Sequence, residues 1–308
     1  MDLIDFNDLP QNDRMYGGVS GNKVGVAYKG DNFLLKFPGN LKSKGMKNVQ
    51  LSYSNAPVCE YLGSHIYDLL GIPVHDTLLG TRNGKVVVAC KDFLERGDRL
   101  YEFREIKTTF EPLPANDGGH MTDGNGTELA DVLHAIYEHP FLQDIHGVQE
   151  RFWDMFVVDA FIGNSDRNNG NWGVIVRYDG SKELAPVYDN GACLNNKWDD
   201  EKMQRALDDD DAIKAQAYHG VVCAYMEQGK RINPFHFMER TDLRACKEAV
   251  GRIVLRISSQ RGYIEHLVEA CPLLSEVQKE FYNQLFSIRL EKALLPLHKK
   301  IRSAGFGR

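Results

Sequence analysis

Two polar clusters stand out in the stretch 163–191, GNSDRNNGNWGVIVRYDGSKELAPVYDNG. The first, DRNNGN, runs from Asp166 to Asn171. The second, DNG, begins at Asp189. An acid, an amide five residues later and a second acid beyond a short hairpin is the spacing of a phosphoryl-transfer site. Asp166 would orient a hydroxyl nucleophile. Asn171 and Asp189 would hold Mg²⁺ against ATP phosphates, since this ion takes one or two protein oxygens beside phosphate and water. Taken alone, each cluster reads equally well as a turn, because Asn, Asp and Gly favour turns for conformational reasons. Their succession after an apolar helical run and on either side of strand-like Trp172–Val176 makes the pair more specific.

Other positions could complete such a site. Lys36 lies in the strand pattern NFLLKF (32–37) with apolar neighbours, where an ammonium needs an anion. Glu60 lies on the next predicted helix among apolar residues. A strand lysine held by a helix glutamate, reaching the phosphates, is the protein-kinase arrangement. The loop from Gly17 to Lys23 could cradle phosphates through backbone N–H groups, with Gly18, Val19, Ser20 and Gly21 as the contacts. It matches neither G-x-x-x-x-G-K-[ST] nor G-x-G-x-x-G, so its place before Lys36 recommends it more than its residues do. Cys90, Lys91 and Phe93 join the two halves of the chain and are candidates for the adenine edge.

The elements that must position these residues follow from periodicity. Val24–Tyr28 and Asn32–Phe37 read as strands around a turn at Lys29–Asp31. Asn55 and Pro57 open a helix with apolar residues at helical spacing from Val58 to Leu70, closed by Gly71. Val74–Gly80 and Lys85–Cys90 are two further strands around Asn83 and Gly84. Residues 1–92 therefore form a small sheet with one helix, and 93–308 a mostly helical second part. There, 102–125 reads as irregular and Thr127–Tyr137 as a helix with a capping-box-like Thr127. Gln149–Ile162 is a buried helix delivering the chain to Gly163. Asp208–Asp211 is a solvated helix start, and 242–301 reads as three helices broken at Gly262 and at Cys271–Pro272. Trp153, Trp172 and Trp198 are assigned to packing.

Composition narrows the classes. The length of 308 residues accommodates two lobes. A net charge of −6 argues against a general nucleic-acid binder. Six scattered cysteines without a C-x-x-C pair favour reduced thiols in a cytoplasmic protein. The ten histidines show no metal-ligand spacing. The acidic N-terminal residues lack the apolar run expected of a signal peptide, and no apolar run approaches the roughly 20 residues that span a bilayer.

The ordered set LLKFP (34–38), NAPVCE (55–60), LGIPV (70–74), FIGNSD (161–166) with Asn171, and PVYD (186–189) resembles the HipA-like serine/threonine kinases of bacteria. The resemblance covers about Tyr16 to Ala192 and extends loosely into the helical tail. It implies an α+β, two-lobed protein-kinase-like fold, ATP with Mg²⁺, and phosphorylation of serine or threonine on a protein substrate. It implies that Lys36 holds the phosphates, Asp166 is the catalytic acid, and Asn171 and Asp189 are metal ligands. Asn168 stands where the family often has histidine, and D-R-x-x-x-N is also similar to the phosphatidylinositol kinases. The extra N-terminal subdomain of full-length family toxins is expected to be absent. That aligns the chain with compact members, which include secreted kinases and short toxins whose missing part is a separate protein. Autophosphorylation near the glycine-rich loop would fall on Ser20, and a toxin would have a cognate antitoxin. The competing readings are a phosphotransferase acting on a small molecule or lipid head group, and a non-catalytic nucleotide-binding module.

Overall fold

The computed structural model describes residues 3–14, 16, 23–40, 54–110 and 124–304. The first part is a five-stranded sheet built from β1 (Ile4–Asp5), β2 (Lys23–Tyr28), β3 (Asp31–Lys36), β4 (Thr77–Arg82) and β5 (Lys85–Lys91), in the order β1-β4-β5-β3-β2. Both tight hairpins have positive φ at their two central residues, Lys29 and Gly30 in one and Asn83 and Gly84 in the other. That is the turn handedness which matches strand twist. Helix α1 (Ala56–Leu69) covers one face of the sheet through Val58, Leu62 and Ile66. The other face buries Val26, Phe33, Leu35, Val87 and Ala89 beneath Phe6. The short β1 pairs in parallel with β4, and nothing in the acidic N-terminal sequence announces it. A Cβ at Gly80 would lie 2.0 Å from the Ile4 carbonyl oxygen and 2.4 Å from the Phe6 ring, so only glycine lets β1 approach this closely.

The second part begins with β6 (Arg99–Glu102) and α2 (Phe103–Thr108), followed by α3 (Leu129–Glu138), α4 (Pro140–Gln143) and α5 (Val148–Ile162). A hairpin of β7 (Gly173–Val176) and β8 (Lys182–Leu184) joins β6 in a three-stranded sheet. Then come α6 (Asp200–Leu207), α7 (Asp210–Lys214), a π-helical turn at Ala215–His219, and a small pair, β9 (Met226–Glu227) and β10 (Lys230–Arg231). The chain closes with α8 (Pro234–Arg240), α9 (Arg244–Glu269), α10 (Glu276–Ile288), a second π-helical turn at Arg289–Leu294, and α11 (Leu295–Ser303). Helix α5 is buried along 12 of its residues and packs on α9. The α+β two-lobed expectation holds. No helix of the described residues is long and apolar enough to cross a membrane, and all six cysteines are buried and unpaired.

Three local expectations give way. The 102–125 stretch is not irregular throughout, because Glu102 and Glu105 form a capping box that starts α2. Thr127 does not cap α3; the N-cap is Glu128, without a side-chain cap bond. Helix α9 runs straight through Gly262, its buried side carried by Ile253, Ile257, Ile264 and Val268. Packing of that face outweighs the ~1 kcal/mol that glycine costs a helix. A Cβ at Gly262 would meet nothing within 4 Å. Gly262→Ala is therefore expected to stabilise the protein by about 0.5–1 kcal/mol. A urea titration with a raised midpoint at unchanged slope would show it, and an unchanged or lowered midpoint would count against it.

Candidate active site

A cavity of about 580 Å³ lies between the five-stranded sheet and the helical part. Lys36 reaches it from the end of β3. Cys90, Lys91 and Phe93 reach it from β5 and the following connector. Asp166, Asn168 and Asn171 come from the loop between α5 and β7, and Asp189 from the segment after β8. Glu60 does not line the cavity; it sits behind Lys36 on α1, with its side chain 3% exposed. Gly18, Val19, Ser20 and Gly21 lie outside the described residues, whereas Tyr16 and Lys23 on either side of them line the cavity.

Lys36 Nζ is 3.1 Å from Glu60 Oε2 and also pairs with Asp189 Oδ1. Burial alone would lower the lysine's pKa, but Glu60 and Asp189 outweigh it and hold the group well above its ordinary value. Glu60 behaves as the mirror image. Burial would raise it, yet Lys36 and His75 hold it far below the usual carboxylate range. Asp189 is held down mainly by Lys36 against its own burial. Its side chain is 37% exposed, so water screens its share of the pairing more.

Glu60 does more than neutralise a lysine. Oε1 accepts from the backbone N–H of Asn190 at 3.0 Å and lies 3.0 Å from His75 Nε2. Oε2 accepts from the N–H of Gly191 at 2.9 Å as well as from Lys36. One carboxylate thus fixes the chain immediately after Asp189, a residue with φ of 57°. Holding a non-glycine residue in that left-handed region costs about 1 kcal/mol or more, and the flanking bonds to Glu60 offset it.

The loop carrying Asp166 is pinned from beneath by Arg167, which is 2% exposed. Its Nε donates to Asp159 Oδ2 at 2.9 Å and its Nη1 to the Asn171 carbonyl at 2.9 Å. Further bonds reach the Tyr188 carbonyl and Asn190 Oδ1. Arg167 therefore ties α5, the DRNNGN loop and the DNG segment to one guanidinium. Asn169 anchors the same loop outward, donating to the carbonyls of Gly124 and Gly126. Asn168 Nδ2 donates to Asp166 Oδ1 at 3.2 Å, and Asn171 Nδ2 donates to the Asp166 carbonyl at 2.6 Å. A deeper support comes from Arg289 in the second π-helical turn. It is 1% exposed and donates to the carbonyls of Phe161, Gln216 and Ala217 at 2.9, 3.1 and 2.8 Å. Burial lowers its pKa to about 10.

Sequence reasoning assigned no role to Arg167, Asp159, Asn190, His75 or Arg289. A usable signal existed for one of them: Asp159 interrupts the apolar run FVVDAFI, and an acid inside a buried helix face demands a cation.

The donor chemistry for a hard cation is present. With the Asn171 amide nitrogen held by the Asp166 carbonyl, Oδ1 is the end of that amide suited to a ligand, in the cavity that Asp189 also lines. A second grouping, Glu60, His75 and Cys90, brings its donor atoms within 4.8 Å of one another. It does not suit a metal. Both Glu60 oxygens already accept two donors each, one of them the Lys36 ammonium, and burial with the nearby acids holds the Cys90 thiol protonated. On the connector, the N–H groups of Lys91 and Asp92 are taken by the carbonyls of Asp76 and Asn32. The Lys91 side chain pairs with Asp31, and Phe93 stacks on Tyr188.

No family model matches the chain. It is 35% identical over 304 residues to the serine/threonine-protein kinase CtkA of Helicobacter pylori, covering 97% of this chain and 89% of that protein. The crystal structure described as a Helicobacter pylori proinflammatory kinase CtkA superposes with a TM-score of 0.85 at 32% identity, over 98% of this chain and 99% of that one. A Shewanella oneidensis HipA, solved with HipB and operator DNA, gives a TM-score of 0.51 at 12% identity over 96% of this chain and 70% of that one, a likeness of fold. With this identity running nearly end to end and the two-lobed architecture in common, the chain belongs to the HipA-like serine/threonine-protein kinases.

Proposed function

We propose that this kinase transfers the γ-phosphoryl group of ATP, with Mg²⁺, to serine or threonine hydroxyls of a protein. The observation that carries the reading is the convergence of Lys36, Asp166, Asn171 and Asp189 on one cavity, with Lys36 held by buried Glu60. Asp166 orients the acceptor hydroxyl and takes its proton as that oxygen bonds to the γ-phosphorus and the bond to ADP breaks. Asn168, bonded to the Asp166 carboxylate, keeps it aimed and borders the nucleotide. Lys36 stabilises phosphate charge, and Glu60 positions it. Asn171 and Asp189 would hold the cation. Mg²⁺ bound there would neutralise charge on the phosphate oxygens. Catalysis is then positioning plus charge stabilisation in a site fixed beforehand.

The adenine edge falls to the segment containing Cys90, Lys91 and Phe93. Because two of its N–H groups are committed inside the sheet, its contribution rests on the remaining backbone groups and on the Phe93–Tyr188 stack. The reading extends to the glycine-rich loop with Gly18, Val19, Ser20 and Gly21 over the phosphates, to autophosphorylation at Ser20, and to action in the cytoplasm. The complex of the Shewanella HipA with HipB motivates one more element, a cognate antitoxin acting on this chain as a toxin.

The test uses the intact protein, γ-³²P-ATP and a mixed protein acceptor. Label is expected on phosphoserine and phosphothreonine, lost with EDTA and restored by excess Mg²⁺. Label confined to the small-molecule fraction would move the activity to another acceptor class. Nucleotide binding without any turnover would leave the reading without a reaction.

A further inference from the structure

The segment that precedes the glycine-rich loop makes contacts that the catalytic residues do not require. Arg14 Nη1 donates to Asp92 Oδ2 at 2.6 Å and to the Leu94 carbonyl at 2.7 Å. Asp92 in turn accepts the Leu94 N–H on Oδ1 at 2.9 Å. The Asp92 side chain is only 8% exposed, so Arg14 is the cation that compensates a nearly buried carboxylate. Next to it, Asn12 Nδ2 lies within hydrogen-bond reach of the Val26 carbonyl and Asn32 Oδ1, both at 3.1 Å, and of the Tyr16 hydroxyl at 3.3 Å. The Asn12 N–H donates to the Gly25 carbonyl and its Oδ1 accepts the Arg14 N–H. A Cβ at Gly25 would lie 2.2 Å from Asn12 Oδ1 and 2.7 Å from the Tyr16 ring. The segment is thus laid tightly over the β2–β3 hairpin, and Tyr16 reaches the cavity that Asp92, Phe93 and Leu94 also line.

We infer that the stretch carrying Asn12, Arg14 and Tyr16 borders the nucleotide site, with Tyr16 lining it and Arg14 fixing the connector against Asp92 and the Leu94 carbonyl, and that Arg14 so sets nucleotide affinity and base preference. This deepens the ATP reading above and rests on it. The physical reason lies in what the connector must do. A base edge is read by backbone groups only if they are held in place before the ligand arrives, since ordering them on binding weakens affinity. The N–H groups of Lys91, Asp92 and Leu94 and the Leu94 carbonyl have protein partners, which hold the connector in place and leave the base edge to its other backbone groups. The two at Leu94 depend on the Arg14–Asp92 pair. Both bonds leave the one Nη1, whose two hydrogens are fixed in the guanidinium plane at the end of a stem longer than that of lysine, a direction and reach that an ammonium does not reproduce. Arg14 lies outside the phosphate-handling group, so its loss should touch binding and leave the transfer step alone.

Three variants test this in the full chain. Arg14→Met removes both bonds. Arg14→Lys keeps the charge but shortens the reach and loses the planar donor geometry. Arg14→Met with Asp92→Asn removes the uncompensated charge without restoring the tether. Steady-state labelling should show the KM for ATP raised about tenfold or more in Arg14→Met, the scale of a lost charge-assisted hydrogen bond, with kcat within about twofold. The double variant should remain impaired, Arg14→Lys should be intermediate, and the preference for ATP over GTP should narrow. Titration calorimetry with ATP should report the same weakening independently of turnover. Wild-type KM and base preference in Arg14→Met, or full recovery in the double variant, would overturn the inference. If wild type itself transfers no phosphate, the functional reading fails instead, while the calorimetry still decides whether Arg14 governs nucleotide binding.

Discussion

Asp166→Ala is expected to lower kcat for phosphoryl transfer by about a thousandfold or more while the protein stays folded. A positioned base typically contributes ~10²–10⁴, and in the proposed mechanism the same carboxylate also aligns the attacking oxygen. Little else depends on it. Asp166 is exposed, and its carbonyl, not its carboxylate, accepts from the Asn171 amide and the Asn168 N–H. Its own N–H is held by Asn164 Oδ1 at 3.1 Å. Of the loop bonds, the substitution removes the 3.2 Å contact to Asn168, which is exposed and contributes little. Unfolding free energy should move by less than about 0.5 kcal/mol. Single-turnover labelling beside a denaturant titration separates the two effects. Transfer within tenfold of wild type would remove Asp166 from the proposed chemistry.

Glu60→Gln should be damaging in a different way, in stability and rate together. The glutamine amide presents one oxygen and one NH₂ where the carboxylate presented two acceptors. Whichever way it is turned, NH₂ faces a backbone donor, either the Asn190 N–H or the Gly191 N–H. It also leaves Lys36 with Asp189 as its remaining carboxylate partner. Breaking one side of a buried pair costs about 3–5 kcal/mol. Misplacing Lys36 and the DNG segment should reduce kcat/KM by about a hundredfold, the scale of ~3 kcal/mol in the barrier. The pH dependence has a defined sign. Because the folded-state pKa of Glu60 is depressed, its stabilisation is fully present above the unfolded carboxylate value and disappears as pH falls through the folded value. Because that of Lys36 is raised, its stabilisation is complete below the unfolded lysine value and disappears as pH rises through the folded value. The stability gap between wild type and Glu60→Gln should therefore be flat from about pH 5 to pH 10 and shrink in stronger acid. A gap that widens on acidification would contradict the assigned charge states.

The parts of this molecule governed by local rules were legible before the structure. The turns at Lys29–Gly30 and Asn83–Gly84 carry their own backbone chemistry, the apolar spacing of α1 follows the 3.6-residue period, and the nearly continuous apolar run of α5 marks a buried helix. The residues singled out for chemistry, Lys36, Asp166, Asn171 and Asp189, do share one cavity. What the sequence concealed depends on long-range geometry. Arg167 looks like one more polar residue in a turn until Asp159, Asn171, Tyr188 and Asn190 surround it. Glu60 could be paired with Lys36 from spacing, but its grip on Asn190 and Gly191 spans some 130 positions. Gly262 misled for the opposite reason: a local rule pointed to a break, and the packing of α9 overrode it. Arg14 carried no motif at all.

Arg289 has a consequence for where this kinase can be cut. Its guanidinium closes the carbonyl end of α5 just before Gly163, where a Cβ would sit 2.8 Å from Nη2. It also closes the π-helical turn at Ala215–His219. Every side chain proposed for chemistry lies before residue 190, so a fragment ending near residue 200 would look complete on a list of motifs. It would lack the cation that terminates the helix from which the Asp166 loop springs. The minimal autonomous unit is therefore set by a residue more than a hundred positions beyond the loop, and the C-terminal helices belong to the catalytic body as its keystone.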